Sequence, residues 1–486
     1  MSIKKSKITA KGIIEDAKNN IKGIPPPPHK EILGRLLHEV KRIDFNKIAG
    51  IDDDQPVPQW KQAVITVDEI LELAQLHKWG ICKNNDFTYL YNGAYWYYLD
   101  SKVLMSFLGD SARKMSVQKL LSRFFGFRKK LLEQFNTVAN MPAPENDSDN
   151  SFINLLNGTL EIGPKKSKLR SFNMNDFLTY QLPFEYNPLA EAPIFMVFLN
   201  KVLPNKDLQY ILAEYIGYLF IPNKRLKMEK TLLLYGIGAN GKSVVFDTVN
   251  ALLGRENVST YSLANLTNEN GYYRAMIGNK LLNYASEINR KLDTSFFKQL
   301  VSGEPIEARL PYGKPFILEN YAKLIFNTNE LPVDVEHTNA FFRRFIIIPF
   351  EEVIPEHAQD KNLAQKIIES ELPGVLNWVL KGLKRINKNE AFTHSEIVVN
   401  QVRKYKQDAD TTYLFIEEHG YIPDEESYRT LKDIYTTYKS FCYENNYRPL
   451  SNRVFKKRLE NHNFKAKKTR VGQVIYCIID RDAYIN

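Results

Sequence analysis

Apolar residues along the chain follow the helical repeat in some stretches and alternate with polar residues in others. Between residues 31 and 47 they recur at helical spacing, at Ile32, Leu36, Leu37 and Val40. The stretches "DFTYLYNGAYWYYLD" and "FINLLNGTLEIG" alternate about an Asn-Gly pair, which is typical of a tight β-hairpin. Residues 193 to 220 are helical again. The first 225 residues therefore predict helices mixed with antiparallel strands.

Between residues 230 and 350, short apolar runs alternate with helical or loop segments. The runs are "TLLLYG", "NKLLNYASEI", "AKLIFNTN" and "RRFIIIPF". Each run is brief, rich in aliphatic or aromatic residues and bounded by turn-forming residues, which favours buried parallel strands of an α/β sheet. Residues 360 to 390 predict helix, and the pattern breaks near residues 406 to 412.

The C-terminal region has a pattern of its own. "LKDIYTTYKSFCYEN" predicts an amphipathic helix, "SNRVFKKRLENHNF" a second helix capped by Ser451, and "KAKKTRVGQVIYCIID" a β-hairpin. Two helices followed by a two-stranded wing predict a winged-helix domain. We expect its basic residues to contact DNA phosphates, namely Arg453, Lys456, Lys457 and Lys467. The alternative is a solvated basic helix that only packs on the rest of the protein.

Composition narrows the class of protein. The 486 residues suffice for two to four domains, and the formal net charge of +10 permits a polyanionic partner without requiring one. No apolar run is long enough to predict a membrane span, and the basic N-terminus lacks the apolar segment of a secretory signal. The three cysteines are widely spaced, which argues against disulfides and zinc. We therefore expect a protein of the cytoplasm, in a bacterial host cell.

A glycine-rich turn follows the run "TLLLYG". Residues 236 to 243 match G-x-x-x-x-G-K-[ST], with a strand pattern before them and a helix pattern after them. Backbone N–H groups of such a turn converge on the phosphates of a nucleoside triphosphate, the lysine adds a cation and the serine reaches Mg²⁺. We therefore predict an ATP site with Mg²⁺, formed by Gly236, Gly238, Ala239, Asn240, Gly241, Lys242, Ser243 and Val244.

Hydrolysis also needs a carboxylate at the end of a neighbouring strand. Glu287 follows the run "NKLLNYASEI" and is the candidate, as a catalytic residue and, with Ser243, as a residue that holds the metal. An ordinary exposed glutamate at a strand end is the alternative.

Further motifs resemble a known family. "SFFKQLVSGEPIEARLPYGKPFILENYAKLIFNTNELP" followed by "AFFRRFIIIPF" is similar to the superfamily 3 helicase module behind phage and plasmid primases, to which the poxvirus primase-helicase is related. The resemblance covers roughly residues 60 to 480. It implies an α/β fold: an AAA+-like P-loop ATPase with an α+β N-terminal domain and a C-terminal winged helix.

The resemblance also implies domains. These are a basic flexible tail with a linker helix (1–60), a helicase-associated domain (61–225), the superfamily 3 ATPase domain (226–400) and the winged-helix domain (411–486).

The family's residue roles can be carried over where the motifs match. By resemblance, Lys298 and Lys314 contact DNA, Lys314 at the tip of a pore hairpin. Asn329 is the sensor residue, and Arg343 and Arg344 match the pair that supplies an arginine finger to the neighbouring subunit. In the segment beginning at Lys298, Ser-Gly-Glu stands where the family has Gly-Gly-Asp.

Structural alternatives apply to each carried-over role. Asn329 can cap a turn, Lys314 can be a plain turn lysine, and one of the two adjacent arginines is expected to be structural because adjacent strand residues face opposite sides.

These expectations combine into a ring-shaped helicase. A finger acting in trans requires a homo-oligomeric ring, by resemblance a hexamer, which moves on single-stranded and forked DNA and works with a separate primase or polymerase. The alternative is an origin-binding regulatory AAA+ ATPase without processive unwinding. A full primase-helicase is disfavoured because the first 60 residues are too short for a primase domain. The sensor and double-arginine motifs argue against a P-loop kinase or packaging motor.

Overall fold

A parallel β-sheet lies at the centre of a mixed α/β fold. The computed structural model describes residues 26–84, 87–140, 150–163, 166–286, 288, 293–311, 313–332 and 337–480. Predicted site residue Glu287 lies outside the described residues. None of the described helices is both long enough and apolar enough to cross a membrane.

The N-terminal part is a helical bundle with a small sheet. Its elements are α1 (His29–Glu39), α2 (Phe45–Ala49), α3 (Gln59–Leu76), β1 (Gly80–Asn84), β2 (Phe87–Tyr91), β3 (Trp96–Leu99), α4 (Ser101–Lys114), α5 (Lys119–Arg123) and α6 (Phe125–Val138). Leu36 of α1, Val67 of α3 and Leu131 of α6 are buried in the same cluster. The helix predicted near residue 31 is therefore packed on the bundle.

Both predicted hairpins are confirmed. β2 and β3 pair with Tyr91 opposite Trp96, and the turn between them has Gly93 at a φ of +102°. β4 (Ser151–Leu155) and β5 (Gly158–Ile162) form the second hairpin, and β6 (Ser167–Arg170) extends it. A 3₁₀ turn follows at Met174–Asp176.

The central region alternates helices and strands as predicted. It comprises α7 (Pro193–Val202), α8 (Lys206–Tyr218), β7 (Thr231–Tyr235), α9 (Lys242–Leu253), a 3₁₀ turn (Arg255–Asn257), β8 (Val258–Ser259), α10 (Leu263–Leu266), α11 (Tyr272–Met276), β9 (Leu282–Ala285), α12 (Thr294–Ser302), β10 (Ile306–Arg309), β11 (Pro315–Leu318), β12 (Lys323–Thr328), α13 (Asn339–Phe342), β13 (Phe345–Pro349), a 3₁₀ turn (Glu356–Ala358), α14 (Leu363–Ser370) and α15 (Leu372–Asn389).

Within the described residues, the sheet order is β13–β7–β12–β9–β8, with every pair parallel. Alternate residues of β7 enter two separate cores, because Leu232 and Leu234 pack on one face and Leu233 packs on the other. Both faces are thus covered, which explains why these strands are continuously apolar in the sequence. β10 and β11 form a separate antiparallel hairpin.

The C-terminal part consists of α16 (Glu396–Asp408), α17 (Thr411–Glu418), β14 (Tyr421–Thr430), α18 (Leu431–Glu444), α19 (Asn452–Asn461), β15 (Ala466–Thr469) and β16 (Gly472–Ile479). The hairpin of β15 and β16 is present, but β14 also pairs with β16, so the predicted two-stranded wing has a third strand. Ser451 occupies the N-cap position of α19 without the capping hydrogen bond that its residue type predicts.

Candidate nucleotide-binding site and its neighbouring surfaces

The glycine-rich turn connects the C-terminal end of β7 to the first residue of α9, Lys242. Gly236 has a φ of +156° and Gly241 a φ of +85°, both in the range that favours glycine. A Cβ atom added at Gly236 would lie 2.3 Å from the carbonyl oxygen of Phe350. Ala239 adopts a φ of +60° although it is not glycine, which is typical of a tightly determined functional loop. The conformation therefore requires glycine at residue 236.

Hydrogen bonds fix the turn against the neighbouring strands. The amide of Gly236 donates to the carbonyl of Thr328 at the end of β12, at 3.2 Å. The side chain of Asn240 donates to the carbonyl of Phe350 at 2.9 Å. The amide of Ile354 donates to the carbonyl of Ala239 at 2.8 Å. The loop is thereby held in one conformation between two strand ends.

Lys242 is buried at the start of α9. Its ammonium donates to the carbonyl of Gly236 at 2.5 Å and to Oδ1 of Asn240 at 3.0 Å, and burial lowers its pKa from the ordinary value. Ser243, the next residue, is exposed. The first turn of α9 carries no acidic side chain, so nothing there opposes an anion at the positive end of the helix. A triphosphate fits these residues in charge and in donor chemistry.

The turn opens into a cleft of about 890 Å³. Residues from the turn and the start of α9 line it, namely Gly238, Ala239, Asn240, Gly241, Lys242, Ser243 and Val244, whereas Gly236 does not. An apolar wall beside the turn comes from Ile194, Val197 and Phe198 on α7 together with Ile354 and Leu363, and Phe198 packs against Gly241. Charged residues, namely Lys201, Asp247, Asp360 and Lys361, line other parts of the cleft. The apolar wall suits the flat apolar faces of a nucleobase.

The α7 wall was not found from the sequence, because residues 193 and 242 are far apart along the chain. Glu371 holds it in place, since its two carboxylate oxygens accept hydrogen bonds from the amides of Ile194 and Phe195, each at 2.8 Å. The detectable signal was the run "PIFMVFL", which is more apolar than a helix with one buried face requires.

Polar residues at the ends of β9 and β12 face the same cleft. Asn329 and Ser286 line it, as does Asn327, whose Oδ1 accepts a hydrogen bond from the hydroxyl of Tyr284 at 2.9 Å. Asn329 is exposed at a bend and is available to a ligand. Among the described residues there is no cluster of three His, Cys, Asp or Glu side chains that could hold a metal ion. Ser243 remains the predicted contact to Mg²⁺.

The two adjacent arginines differ sharply in environment. The side chain of Arg343 is 61% exposed and its Nη2 lies 2.7 Å from Oε2 of Glu229. The side chain of Arg344 is 9% exposed, and it donates to the carbonyl of Ala340 and, at 3.0 Å, to Oγ of Ser302. Arg343 therefore faces solvent, whereas Arg344 is buried and makes structural hydrogen bonds.

Arg343 lies at the opposite end of the sheet from the glycine-rich turn. β13 runs parallel to β7 with Phe345 opposite Thr231, so Arg343 precedes the strand start while the turn follows the strand end. The length of β7 alone is about 13 Å, which is more than an arginine side chain spans.

Lys230 lies beside Arg343 and donates to its carbonyl oxygen. Burial and the two neighbouring arginines lower the pKa of Lys230. Sequence reasoning missed Lys230 because it belongs to no motif.

The predicted pore hairpin corresponds to the β10–β11 pair, which has one buried and one exposed face. Lys314 is exposed at the turn, where Nε of Arg309 donates to the carbonyl of Gly313 at 3.0 Å. The ring of Phe316 on β11 contacts Phe87 of the N-terminal sheet, with centroids 5.1 Å apart. Lys298 is half-buried on α12 rather than on the hairpin.

Most of the predicted basic residues of the C-terminal part are accessible. Arg453, Lys457 and Lys467 are exposed, and Lys456 is half-buried with its Nζ 3.6 Å from Glu460. Another basic residue of α19, Arg458, turns inward and bonds the buried Asp410 at 2.7 Å.

Three family models match successive parts of the chain: "D5 N terminal like" over residues 69–204, "Family of unknown function (DUF5906)" over residues 234–344, and "Poxvirus D5 protein-like" over residues 407–481. The resemblance to phage and viral primase-helicases is confirmed. The D5-like matches cover the N-terminal and C-terminal parts, on either side of the glycine-rich turn.

A curated relative and two solved structures are also similar to this chain. "Putative helicase L207/L206" of Acanthamoeba polyphaga mimivirus is 23% identical over an alignment of 253 residues, and the match covers 46% of this chain. The chain spans about a quarter of that relative's length. Two apo structures of the NrS-1 C-terminal region have 12% and 14% identity, cover 84% and 86% of this chain and 98% and 99% of their own, and have TM-scores of 0.46 and 0.43.

Proposed function

We propose that the protein is an ATP-dependent DNA helicase that acts in replication of a viral, phage or plasmid element and works as a homo-oligomeric ring. The D5-like matches and the helicase name of the mimivirus relative support a helicase or primase role. The parallel sheet with a glycine-rich turn after β7 supports the AAA+-like P-loop fold. The three antiparallel strands and basic α19 are compatible with a winged helix.

In this proposal ATP occupies the cleft at the glycine-rich turn. Lys242 leaves the loop carbonyls and pairs with the phosphates, and Ser243 contacts Mg²⁺. The metal, when bound, neutralises charge on the phosphate oxygens. Asn329 orients the attacking water through a neutral donor and acceptor, and Glu287 is the proposed base.

The neighbouring protomer completes the site. Arg343 and Lys230 cannot reach the cleft of their own chain, since the full length of β7 lies between. Both carry positive charge near the N-terminal ends of β7 and β13, where a second copy can present its nucleotide. A cation supplied in this way stabilises the charge that develops on the phosphate during hydrolysis and is worth about 10³- to 10⁵-fold in rate in related enzymes.

One observation carries the proposal: the two ends of a single five-residue strand bear complementary chemistry. The C-terminal end of β7 leads into the phosphate turn, and its N-terminal end carries Lys230 and the Glu229–Arg343 pair. A head-to-tail arrangement of copies brings one end against the other, and such heterologous contacts form a ring when the rotation between copies closes.

DNA would pass along the β10–β11 hairpins in the centre of the ring. Lys314 and Arg309 place positive charge near the hairpin turn, where they meet backbone phosphates without reading sequence. Movement of the hairpin relative to β7 would couple hydrolysis to translocation.

The test is ATP hydrolysis with and without single-stranded DNA, combined with strand displacement on a forked duplex. We expect DNA to stimulate hydrolysis, and Lys242→Ala to abolish both hydrolysis and displacement. Lys381→Ala, an exposed lysine on α15, is the matched control. Hydrolysis without displacement would contradict the helicase and favour the regulatory origin-binding ATPase.

A further inference from the structure

An exposed aromatic surface lies on the N-terminal bundle, away from the glycine-rich turn. At the junction of α5 and α6, Leu120 is 74% exposed, Phe124 63% and Phe125 66%. The buried face of α6 uses Phe127, Leu131 and Phe135 at helical spacing. The two adjacent phenylalanines before Gly126 therefore lie off the face that the core requires, and the fold gives no reason for aromatic residues there.

The same surface is strongly basic. Residues 119–130, "KLLSRFFGFRKK", contain five basic residues and no acidic one. Two of the five have acidic partners, because Arg128 bonds Asp110 at 2.9 Å and Lys129 lies 3.6 Å from Glu133.

Among the described residues, none of the other three basic residues has an acidic partner, and Lys130 donates only a long hydrogen bond to Oε1 of Gln59 at 3.4 Å. In the described part of the chain, no acidic side chain lies within 4 Å of Lys119, Arg123 or Lys130. The amino-terminal end of α6, which has no acidic side chain in its first turn, adds partial positive charge.

We infer that this surface, the Phe124–Phe125 surface, binds single-stranded nucleic acid. Bases stack on the two phenyl rings while Lys119, Arg123 and Lys130 pair with the phosphates. Rings interleaved with cations are the usual platform for single strands, because every base has a face that can stack. Duplex nucleic acid hides those faces, so the rings favour an unpaired strand.

Charge decides between a nucleic acid and a protein partner. The core of a protein interface is enriched in aromatic residues and arginine but depleted in lysine, of which this segment has three. Here the exposed rings lie within a segment whose unpaired charges are all positive. A polyanion with stacking groups satisfies both features at once.

The inference extends the proposed function, since it adds a contact for the strand outside the ring pore. Binding of a strand at the Phe124–Phe125 surface does not require ATP hydrolysis, so either proposal can be wrong while the other holds. A chain with Lys242→Ala is expected to keep this contact, and a chain without the two rings is expected to keep ATP hydrolysis in the absence of DNA.

The experiment is fluorescence anisotropy of a labelled oligo-dT with the full chain in the absence of nucleotide. Stacking of one base is worth about tenfold in affinity, so Phe124→Ala with Phe125→Ala is expected to raise the Kd by at least about tenfold. Leu76→Ala with Val138→Ala removes exposed apolar side chains elsewhere on the bundle and serves as the control. Because Phe124 packs on Gly126, Phe125→Ala alone and Arg123→Gln check the result in variants that leave that contact intact.

Photo-crosslinking then localises the strand. Oligo-dT containing 5-iododeoxyuridine is expected to cross-link to residues 119–130, and Arg123→Gln is expected to reduce the salt dependence of binding by about one phosphate contact. The inference is overturned if the ring variants bind oligo-dT as the parent does, or if cross-links fall only elsewhere. The inference is also overturned if the Phe124 and Phe125 variants lose binding to duplex DNA as much as binding to oligo-dT, or if they lose only binding to anionic lipid vesicles.

Discussion

Nη2 of Arg343 lies 2.7 Å from Oε2 of Glu229, and the pair joins the residues just before two neighbouring parallel strands. Arg344 approaches the same oxygen at 3.6 Å from the buried side. Because Glu229 is one third exposed and Arg343 faces solvent, the pair is of the weak kind, worth at most about 1 kcal/mol. In the proposed ring, a phosphate bound by another protomer would therefore be able to replace the carboxylate. Glu229 would then hold the finger until a neighbour's nucleotide arrives.

Glu229→Gln is expected to release Arg343 without removing it. ATP hydrolysis in the absence of DNA should rise by at most about fivefold, because the exposed ion pair stabilises the retained position of Arg343 by about 1 kcal/mol. Glu229→Asp keeps the charge and is the matched control. Steady-state turnover against protein concentration measures the effect, and a fall to the rate of Arg343→Ala would mean that Glu229 instead positions the finger productively.

Gly236→Ala is expected to destabilise the phosphate turn. The added Cβ would meet the carbonyl of Phe350 at 2.3 Å and Nδ2 of Asn240 at 2.6 Å, in a backbone conformation costly for alanine. We expect a loss of about 1 to 3 kcal/mol and weaker ATP binding. Thermal unfolding with and without ATP measures both. Gly238→Ala, whose Cβ would meet nothing within 4 Å, should keep the parent melting temperature in the absence of ATP. Equal melting of the two variants would contradict the steric account.

The contrast between Gly236 and Glu229 shows what the sequence could predict. Gly236 belongs to a contiguous motif whose spacing is fixed by its chemistry, so the turn, β7 and α9 could be placed before the fold was known. Glu229 meets Arg343 across 114 positions of the chain, and only the strand order brings them together. Strand alternation predicted that one arginine would be structural, and Arg344 is. Both arginines, however, lie in the turn before β13, so alternation along a strand is not the reason.

Other misses have local causes. β14 was not predicted because "YIPDEESYRT" contains a proline and three consecutive acidic residues, and the strand accommodates them in an irregularity between Pro423 and Tyr428. The exposed edge tolerates such residues, whereas a central strand would not. The predicted domain boundaries stay predictions. That Leu36 and Leu131 are buried in the same core was not visible in helical spacing alone.

Asp410→Asn is expected to loosen the C-terminal part. The buried carboxylate accepts from Arg458 at 2.7 Å and from His462 at 2.9 Å, and it lies 3.8 Å from His337. Burial raises the pKa of Asp410, but these partners outweigh it and hold the pKa well below the ordinary value. Removing the charge leaves Arg458 unpaired in a largely buried position, at a cost of about 3 kcal/mol.

Thermal unfolding and limited proteolysis between residues 405 and 412 measure the effect of the Asp410 change. Asp408→Asn, an exposed acid two residues earlier, is the control and should behave as the parent does. Equal cleavage rates for the two variants would show that Asp410 does not anchor α19.

Lys323→Met is expected to flatten the dependence of stability on pH. Burial lowers the pKa of Lys323 to about 7, while its Nζ donates to the carbonyl of Ile221 at 2.8 Å and lies 4.3 Å from the ring centre of Tyr218. An unfolded lysine titrates near 10.5, so between pH 7 and 10.5 the unfolded chain binds more protons than the folded chain does. Stability must therefore rise with pH in that window.

Chemical denaturation at pH 7 and pH 9 tests the sign. We expect Lys323 to contribute about 1 to 2 kcal/mol to the rise in the free energy of unfolding, since one pKa unit is worth about 1.4 kcal/mol. The contact with the Tyr218 ring favours the charged form and so keeps the contribution at the lower end. The exposed Lys381→Met should keep the slope of the parent. An unchanged slope in Lys323→Met would assign the pH dependence to other groups.

Mixing two inactive variants tests most directly whether Arg343 completes a neighbour's site. Lys242→Ala keeps its finger but lacks its own phosphate lysine, and Arg343→Ala keeps its turn but lacks the finger. If the finger acts in trans, an equimolar mixture regains hydrolysis, to about one quarter of the parent rate when copies assort at random around a ring. If the mixture stays as inactive as its components while both variants still assemble, the shared site is contradicted.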